Sequence, residues 1–474
     1  MNNFLYRSLE QQLSEEIEQG RWQPGDRLPS IRALVQEQGL SKTTVMHALN
    51  RLEARGLIES RPKAGFFVRA QYKPIAVNSP SISTVSSPAP VPVSVNAVTQ
   101  ELMCRSAAFD ISPDAGTREA LPPGLLQLNR TVARELRRQK GLHQYYDEPA
   151  GSQQLRDILA RRYKRQGCQI DAADLTITTG CQQGLFFALM CLCQRGDLVA
   201  VESPGFYGVL QLLEGLGLKA IEIPSDSQQG MDLDVLAQAA EKWPIKACVV
   251  TPSFATPTGA LMPLENRKQL LALADQHDFH IVEDDIYREL AFDHPMSPLQ
   301  ALDRQGRVIL CGSISKTLSR DLRVGWVISE RWREEIQRLK LVTSLATSRY
   351  VQQGVASFIE DGGYDRHLRR YIPNLQAQRD ELITTIQSEW PMPCASSVPQ
   401  GGLTLWLELP QHINSMQVYA RAREQDILIT PGTLFTAADH FHNCIRISYT
   451  HPWNPDRKAA LNVLGGILAE INEQ

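Results

Sequence analysis

Apolar residues recur at four-residue steps where the chain begins. Leu5, Leu9, Leu13 and Ile17 form one stripe, which predicts an amphipathic helix closed by Gly20. Trp22-Gln23-Pro24-Gly25-Asp26 reads as a turn. Ser30 is placed to cap a second helix that buries Ile31, Leu34 and Val35 and stops at Gly39. Ser41 is placed to cap a third, with Val45, Ala48, Leu49 and Leu52 facing inward and Gly56 as its stop. Two short helices joined by Gln38-Gly39-Leu40 have helix-turn-helix spacing. Leu57-Ile58-Glu59-Ser60 and Phe66-Phe67-Val68-Arg69 then flank Arg61-Pro62-Lys63-Ala64-Gly65. That is a hairpin with a basic tip, a wing.

The pattern changes twice more. Residues 74–99 carry no charge and five prolines, which predicts an extended linker rather than an edge strand. In polyproline geometry it reaches roughly 80 Å at about 3.1 Å per residue. After Cys104, short apolar runs alternate with helical segments: Leu175-Thr176-Ile177-Thr178, Leu198-Val199-Ala200-Val201, Ala220-Ile221-Glu222-Ile223, Cys248-Val249-Val250, His280-Ile281-Val282 and Val308-Ile309-Leu310. Buried strands separated by helices imply a largely parallel sheet covered on both faces, an α/β body. From about residue 331, helices mix with Leu403-Thr404-Leu405-Trp406-Leu407 and Ile445-Arg446-Ile447-Ser448, a smaller C-terminal α+β part. The chain is therefore multidomain. The winged helix-turn-helix is expected over 1–70, the linker over 71–103 and the body over 104–474. The body's large part spans about 150–330; its small part is about 331–474 plus the N-terminal segment.

Length supports this division, because 474 residues exceed one compact core. Net charge is −3 with 21% charged residues, so the whole chain is neither a basic nucleic-acid coat nor an acidic tail. Locally the balance differs. Residues 21–69 hold nine Lys/Arg against four Asp/Glu, the footprint of a DNA-binding head rather than a docking domain. No apolar run approaches the roughly 20 residues that span a bilayer. Met1-Asn2-Asn3-Phe4-Leu5-Tyr6-Arg7 lacks an apolar leader core. Nine scattered cysteines, none in a Cys-x-x-Cys, predict a reducing cytoplasm, with Cys191 and Cys193 as core thiols. His277/His280 and His440/His442 lack further Cys or His partners, so no metal site is expected.

Candidate chemistry gathers at the strand ends. Between Ser313 and Arg323 lie four hydroxyls, two arginines and Lys316. Backbone N–H groups, hydroxyls and a guanidinium fork can hold an anion there. A lysine dehydrated beside them loses proton affinity and becomes a nucleophilic amine. The pair suits an aldehyde cofactor that carries a phosphate. Thr178-Thr179-Gly180-Cys181-Gln182-Gln183-Gly184 is a strand, a glycine turn and a helix start whose N–H groups can add to the cradle. Glu283-Asp284-Asp285 ends a buried strand, and a buried carboxylate needs a cation. A protonated pyridine nitrogen would meet Asp284, and Tyr287 could hydrogen-bond a ring phenolic oxygen. A divalent metal or a capped loop are the competing explanations for these carboxylates.

Leu28-Pro29-Ser30-Ile31-Arg32, Ser41-Lys42-Thr43-Thr44-Val45 and Leu52-Glu53-Ala54-Arg55-Gly56-Leu57-Ile58 resemble the winged helix-turn-helix of the GntR family. The resemblance implies that Arg32, Ser41, Lys42, Thr43 and Thr44 touch DNA and that Gly65 enters the minor groove. Met46 stands where some relatives place an arginine to read a base. The body, from about Ala107, resembles a fold-type-I aminotransferase, an enzyme that uses pyridoxal 5'-phosphate. By that resemblance Lys316 forms the internal aldimine, Asp284 pairs with the pyridine nitrogen and Tyr287 with the phenolic oxygen. Phe206 stacks on the ring, and Gly180, Cys181, Gln182, Ser313 and Arg323 hold the phosphate. Tyr146 would reach the phosphate of the neighbouring subunit, and Arg446 would grip a substrate α-carboxylate. For Arg446 and Phe206 the alternatives are a strand-edge salt bridge and core packing. Thr256 stands where aminotransferases carry an asparagine on the phenolic oxygen, a departure that points away from efficient turnover. Winged helix, linker and body together resemble the MocR-type regulators. These are homodimeric, cytoplasmic factors without a membrane partner. The resemblance implies that this one binds operator DNA and senses an amino acid, an amine or the cofactor through aldimine exchange at Lys316. The same residues also suit a working aminotransferase with an accessory DNA-binding head.

Overall fold

The structure is a computed structural model that describes residues 5–18, 21–23, 25–54, 57–61, 65–68, 88–94, 98, 102, 123–138, 145–451 and 453–473. It divides into one unit of residues 1–76 with 369–384 and another of 77–368 with 385–474. The expected helix stops at Gly20 and Gly56, the wing tip at 62–64 and most of the linker lie outside the described residues.

In the first unit, α1 (Leu5–Glu18), α2 (Ile31–Gln38) and α3 (Lys42–Ala54) precede a hairpin of β1 (Ile58–Arg61) and β2 (Gly65–Val68). Ser30 Oγ accepts the Ala33 N–H at 3.2 Å, and Gly39 ends α2 in the left-handed region at φ 64°. Ser41 Oγ accepts the Thr44 N–H at 3.1 Å, which caps α3. Leu9, Leu13, Leu34, Val45, Leu49 and Leu52 meet in one core with Phe66 and Val68 of the hairpin. Ile31 and Val35, expected inside, pack on it only partly, because a helix of eight residues turns just one narrow stripe fully inward.

The second unit runs through β3 (Val91–Pro92), α4 (Pro123–Arg138), α5 (Gln153–Lys164), β4 (Leu175–Thr178), α6 (Cys181–Leu192), β5 (Leu198–Ser203), α7 (Tyr207–Leu216), β6 (Lys219–Asp226), β7 (Gly230–Met231), α8 (Leu233–Lys242), β8 (Ile245–Val250), α9 (Leu264–His277), β9 (His280–Asp284), β10 (Val308–Ser313) and β11 (Gly325–Ile328). It continues with α10 (Arg333–Ser344), α11 (Arg349–Glu360), the ends of α12 (Gly363–Glu389), β12 (Ala395–Ser396), β13 (Thr404–Glu408), α13 (Ser415–Glu424), β14 (Thr430–Pro431), β15 (Cys444–Ser448) and α14 (Pro455–Asn472). The large sheet has the order β3-β6-β5-β8-β9-β10-β11-β4, and β6, β5, β8, β9 and β10 are parallel. Their apolar residues, with those of α8 and α9, build a dry core around Ala200, Ile221, Cys248 and Ile281. The small sheet, β12-β13-β15-β14, is antiparallel.

Three features depart from expectation. β11 is an antiparallel strand between β10 and β4 that the hydrophobic pattern does not announce, since it is four residues long and follows a polar turn. Val91–Pro92, expected inside a free linker, pairs antiparallel with Ala220 and Lys219, and Trp243 Nε1 donates to Pro88 O at 3.3 Å. Proline is tolerated there because an edge strand can leave one side of its backbone unpaired. Cys191 and Cys193 are only half-buried, near the C-terminal end of α6, rather than core thiols. Among the described residues no helix is long and apolar enough to cross a membrane, and no three His, Cys, Asp or Glu gather as a metal cluster.

Beside the Lys316 turn, two stretches of backbone meet directly. A Cβ added to Gly325, at the start of β11, would lie 2.5 Å from Gly180 C and 2.7 Å from Gly180 Cα. No rotamer change relieves that clash. Gly325→Ala should therefore destabilise the body by ~2 kcal/mol or more. The measurement is the midpoint of chemical unfolding; an unchanged midpoint would mean that strand and turn separate at no cost.

Candidate functional site

Thr178, Ser203, Val250, Asp284 and Ser313 end five strands at one edge of the large sheet, where ligands bind such folds. Register places Cys311 of β10 beside Asp284 of β9, so the Lys316 turn starts next to the acid. Asp284 is 2% exposed, and Cys181 Sγ donates to its Oδ1 at 3.1 Å. Burial pushes the Asp284 carboxyl up to about 6, while the Cys181 thiol and the Lys316 charge act the other way. Lys316 is shifted oppositely. Dehydration holds its ammonium well below the ordinary lysine range; Arg320, Arg446 and Arg323 add to the effect and Asp284 opposes it.

The anion cradle is built from both sides of the loop after β10. Ser313 Oγ donates to Val324 O at 2.9 Å and accepts the Ser315 N–H at 3.0 Å, which ties the loop's ends together. Arg323 adopts the left-handed region at φ 50°, a conformation that is strained for any residue with a Cβ. Its Nη2 donates to Thr179 O at 2.9 Å. Gly180, at φ 96°, has no room for a side chain, because a Cβ there would collide with Arg323 Nη2. Two predicted cradle residues use their side chains elsewhere. Cys181 points to Asp284, and Gln182 Nε2 donates to Gly208 O at 2.7 Å. What they offer an anion is the backbone N–H of the first turn of α6.

Opposite, Tyr287 is buried, and burial pushes its phenol above the usual range. Thr256 stands beside it with its Oγ1 buried, close enough to act on the phenol and oppose that shift. Arg446, 2% exposed on β15, donates from Nη2 to Thr430 Oγ1 at 3.0 Å and lies over the Phe435 and Tyr207 rings at 5.1 and 5.8 Å. β15 is paired on both sides, so Arg446 does not stand at a sheet edge. Phe206 is half-buried at the head of α7, and its neighbour Gly205 donates its N–H to Phe435 O at 2.8 Å. Tyr146 is 79% exposed, with its carbonyl accepting from Arg349 Nη2 at 3.0 Å.

In the first unit, Arg32, Lys42 and Thr43 are exposed on α2 and α3. Ser41 and Thr44 share a hydrogen bond of 2.7 Å between hydroxyls, so both serve the cap. Gly65 opens β2 at φ 108°. His47 and Arg51 are exposed on α3 and also reach α1. The His47 ring lies 4.2 Å from that of Tyr6, and Arg51 Nε pairs with Glu10. Glu10 is 6% exposed and requires a cation, which Arg51 supplies.

The gntR family of bacterial regulatory proteins matches residues 5–68, and aminotransferase class I and II matches residues 120–462. The chain is 36% identical over 469 residues to the uncharacterized HTH-type transcriptional regulator YjiR of Escherichia coli (strain K12), across 97% of this chain and 98% of that one. It is 33% identical to YdcR of the same organism, also an uncharacterized HTH-type transcriptional regulator, across 98% and 99%. The chain belongs to the MocR-type regulators. Its body has the aminotransferase fold. A crystal structure of LysN, an α-aminoadipate aminotransferase from Thermus thermophilus complexed with N-(5'-phosphopyridoxyl)-L-leucine, aligns at TM-score 0.72 and 26% identity over 80% of this chain and 96% of its own.

In this MocR-type chain the strand-end residues fit pyridoxal 5'-phosphate on structural grounds. Gly180 lets the Arg323 guanidinium lie against the turn, Asp284 is a buried acid that requires a cation, and Thr256 places a buried hydroxyl beside Tyr287. Pattern reasoning missed Tyr207, Thr430 and Phe435, which surround Arg446 and carry no local signal. It also passed over Glu202, whose buried carboxyl accepts the Thr251 N–H at 3.0 Å and is pushed up to about 8 by burial. A carboxylate closing an apolar run was the available signal, the same one that marked Asp284.

The shift of Asp284 has a sign. The folded chain keeps that proton up to about pH 6, whereas the unfolded chain releases it near pH 4. Without a bound cation, stability therefore falls as pH rises through this window. Cofactor-stripped Asp284→Asn should unfold later than the cofactor-stripped parent at pH 8, by up to about 3 kcal/mol. The gap should close toward pH 4 in thermal unfolding; a gap that widens there contradicts the burial account.

Proposed function

We propose that this chain is a transcriptional regulator that holds pyridoxal 5'-phosphate at Lys316 and alters its grip on operator DNA when a small amine or amino acid arrives. The observation that carries the reading is a dehydrated amine beside a buried acid and a glycine-floored cradle, in a chain that also bears a gntR head. When bound, the group supplies an electrophilic carbon that primary amines capture and exchange. Lys316, its ammonium disfavoured by burial, is the nucleophile for that carbon and the group an incoming amine displaces. Asp284 holds a proton on the ring nitrogen. Arg323, Ser313 and the N–H groups of Gly180, Cys181 and Gln182 hold the phosphate. Phe206 stacks on the ring, and Tyr287 and Thr256 serve the phenolic oxygen. Arg446 grips the carboxylate of an amino-acid effector with its fork.

Arg32, Lys42 and Thr43 are the DNA contacts, Ser41 and Thr44 fix the turn that presents them, and Gly65 serves the wing. Large apolar side chains stand exposed at Tyr145, Tyr146, Leu341, Val342, Leu345 and Tyr350. That surface supports a homodimer in which Tyr146 reaches the partner's phosphate. The head is residues 1–70, the linker 71–103 and the body 104–474 of this cytoplasmic factor. An effector shifts DNA binding only through unequal affinity for two states.

The conjunction of Lys316, Asp284 and Arg446 also favours a second reading, an aminotransferase with an accessory head. Single-turnover assays on a panel of amino donors separate the two, since a keto acid released at an enzyme's rate supports turnover. For the main reading, borohydride reduction followed by peptide mapping should label Lys316 alone; a label elsewhere, or none, removes it. Arg32→Ala should weaken operator binding and lower the salt slope by about one. Unchanged affinity and slope would take Arg32 out of the contact set.

A further inference from the structure

A second cavity, of about 180 Å³, opens beside the Lys316 turn, and Ile314 forms part of its wall. It is comparable in size to cavities that accept a benzene-sized molecule. Most charges around it are matched. Arg162 donates to Glu289 at 2.6 Å and to Asp365 at 2.8 Å, and Tyr364 Oη donates to the other oxygen of Glu289 at 2.7 Å. Arg288 is different. It is 4% exposed, and its hydrogen bonds run from Nε alone to both oxygens of Asp285, at 2.9 and 3.0 Å. Nη1 is buried with no partner among the described residues. The guanidinium also lies over the Tyr163 ring at 5.4 Å, which leaves Nη1 as the nitrogen an anionic oxygen can occupy. Arg165, exposed at the rim, adds a further positive charge. Leu159, Ile314 and Trp326 supply apolar wall.

We infer that this cavity is a ligand site separate from the Lys316 site, for a small monocarboxylate whose charge lies on Arg288 and whose apolar body lies on Leu159, Ile314 and Trp326. An anionic oxygen there would give Arg288 Nη1 a partner, and the apolar part leaves water. The occupant would touch both flanks of Lys316. Ile314 precedes it by two residues, and Thr317, which follows it, donates its Oγ1–H to Tyr364 Oη at 2.8 Å. The site requires no assumption about the cofactor.

Butyrate is the probe, titrated calorimetrically into the full-length protein. Saturable binding near about 1 mM is expected in the parent, the scale of a single carboxylate grip. It should persist in Arg446→Ala, which removes the other buried carboxylate fork. It should weaken at least about tenfold in Arg288→Lys, which keeps a charge on Asp285 but loses the guanidinium. Leu159→Trp, which fills the cavity, should abolish it. Should Arg288→Lys fail to fold by circular dichroism, Leu159→Trp decides. Absence of saturable binding in the parent means a water-filled void and overturns the assignment. So does binding that survives Leu159→Trp, or binding that disappears with Arg446→Ala.

Discussion

An amine and an acid are dehydrated side by side at the ends of two adjacent strands, and each is driven toward its neutral form. Asp284 on β9 and Lys316 after β10 would ordinarily carry opposite charges and relieve one another. Here burial outweighs their attraction on both sides: the acid is raised to about 6 and the amine is lowered far below its usual range. The three arginines near Lys316 tilt the balance further from an ammonium. Such a pair is poorly suited to holding a fold together. It is well suited to a ligand that brings its own cation to the acid, its own electrophile to the amine and its own anion to the arginines.

The scaffold keeps this arrangement by removing freedom around it. Gly180 and Gly325 touch through main-chain atoms, which fixes the distance between the α6 turn and β11. Arg323 is held in a left-handed conformation by its bond to Thr179 O. Ser313 closes the loop that carries Lys316 against Val324. Strain at Arg323 and crowding at Gly180 have the same origin: the guanidinium must lie across the turn where an anion is received.

Much of this was legible in the residues. Period-four stripes and hydroxyl caps marked α1 to α3, and Ser30, Gly39 and Ser41 act where their chemistry placed them. Apolar runs marked the parallel strands because a strand buried on both faces has little alternation to hide. A carboxylate ending such a run marked Asp284, and the same clue at Glu202 went unread. What local pattern could not supply was partnership across the chain. The pairing of Arg51 with Glu10, the bond of Cys181 to Asp284, and the Thr430, Tyr207 and Phe435 surroundings of Arg446 all join residues far apart in sequence. β11 and Val91–Pro92 are too short to carry a period, and pairing alone makes them strands.

Thr256 bears on why such a site would serve sensing. Its hydroxyl is buried beside Tyr287 and can accept or donate one bond at short reach. An amide at that position would extend further and hold a ring oxygen with an N–H, stabilising charge that develops there during proton transfer. The hydroxyl gives up some of that reach while leaving the amine, the acid and the anion cradle intact. Capture and release of an effector amine need only those three. Turnover needs in addition a ring whose electron density is tuned through the transition state. On the proposed reading, a site that keeps the first set and loosens the second would report which amine is present without consuming it quickly.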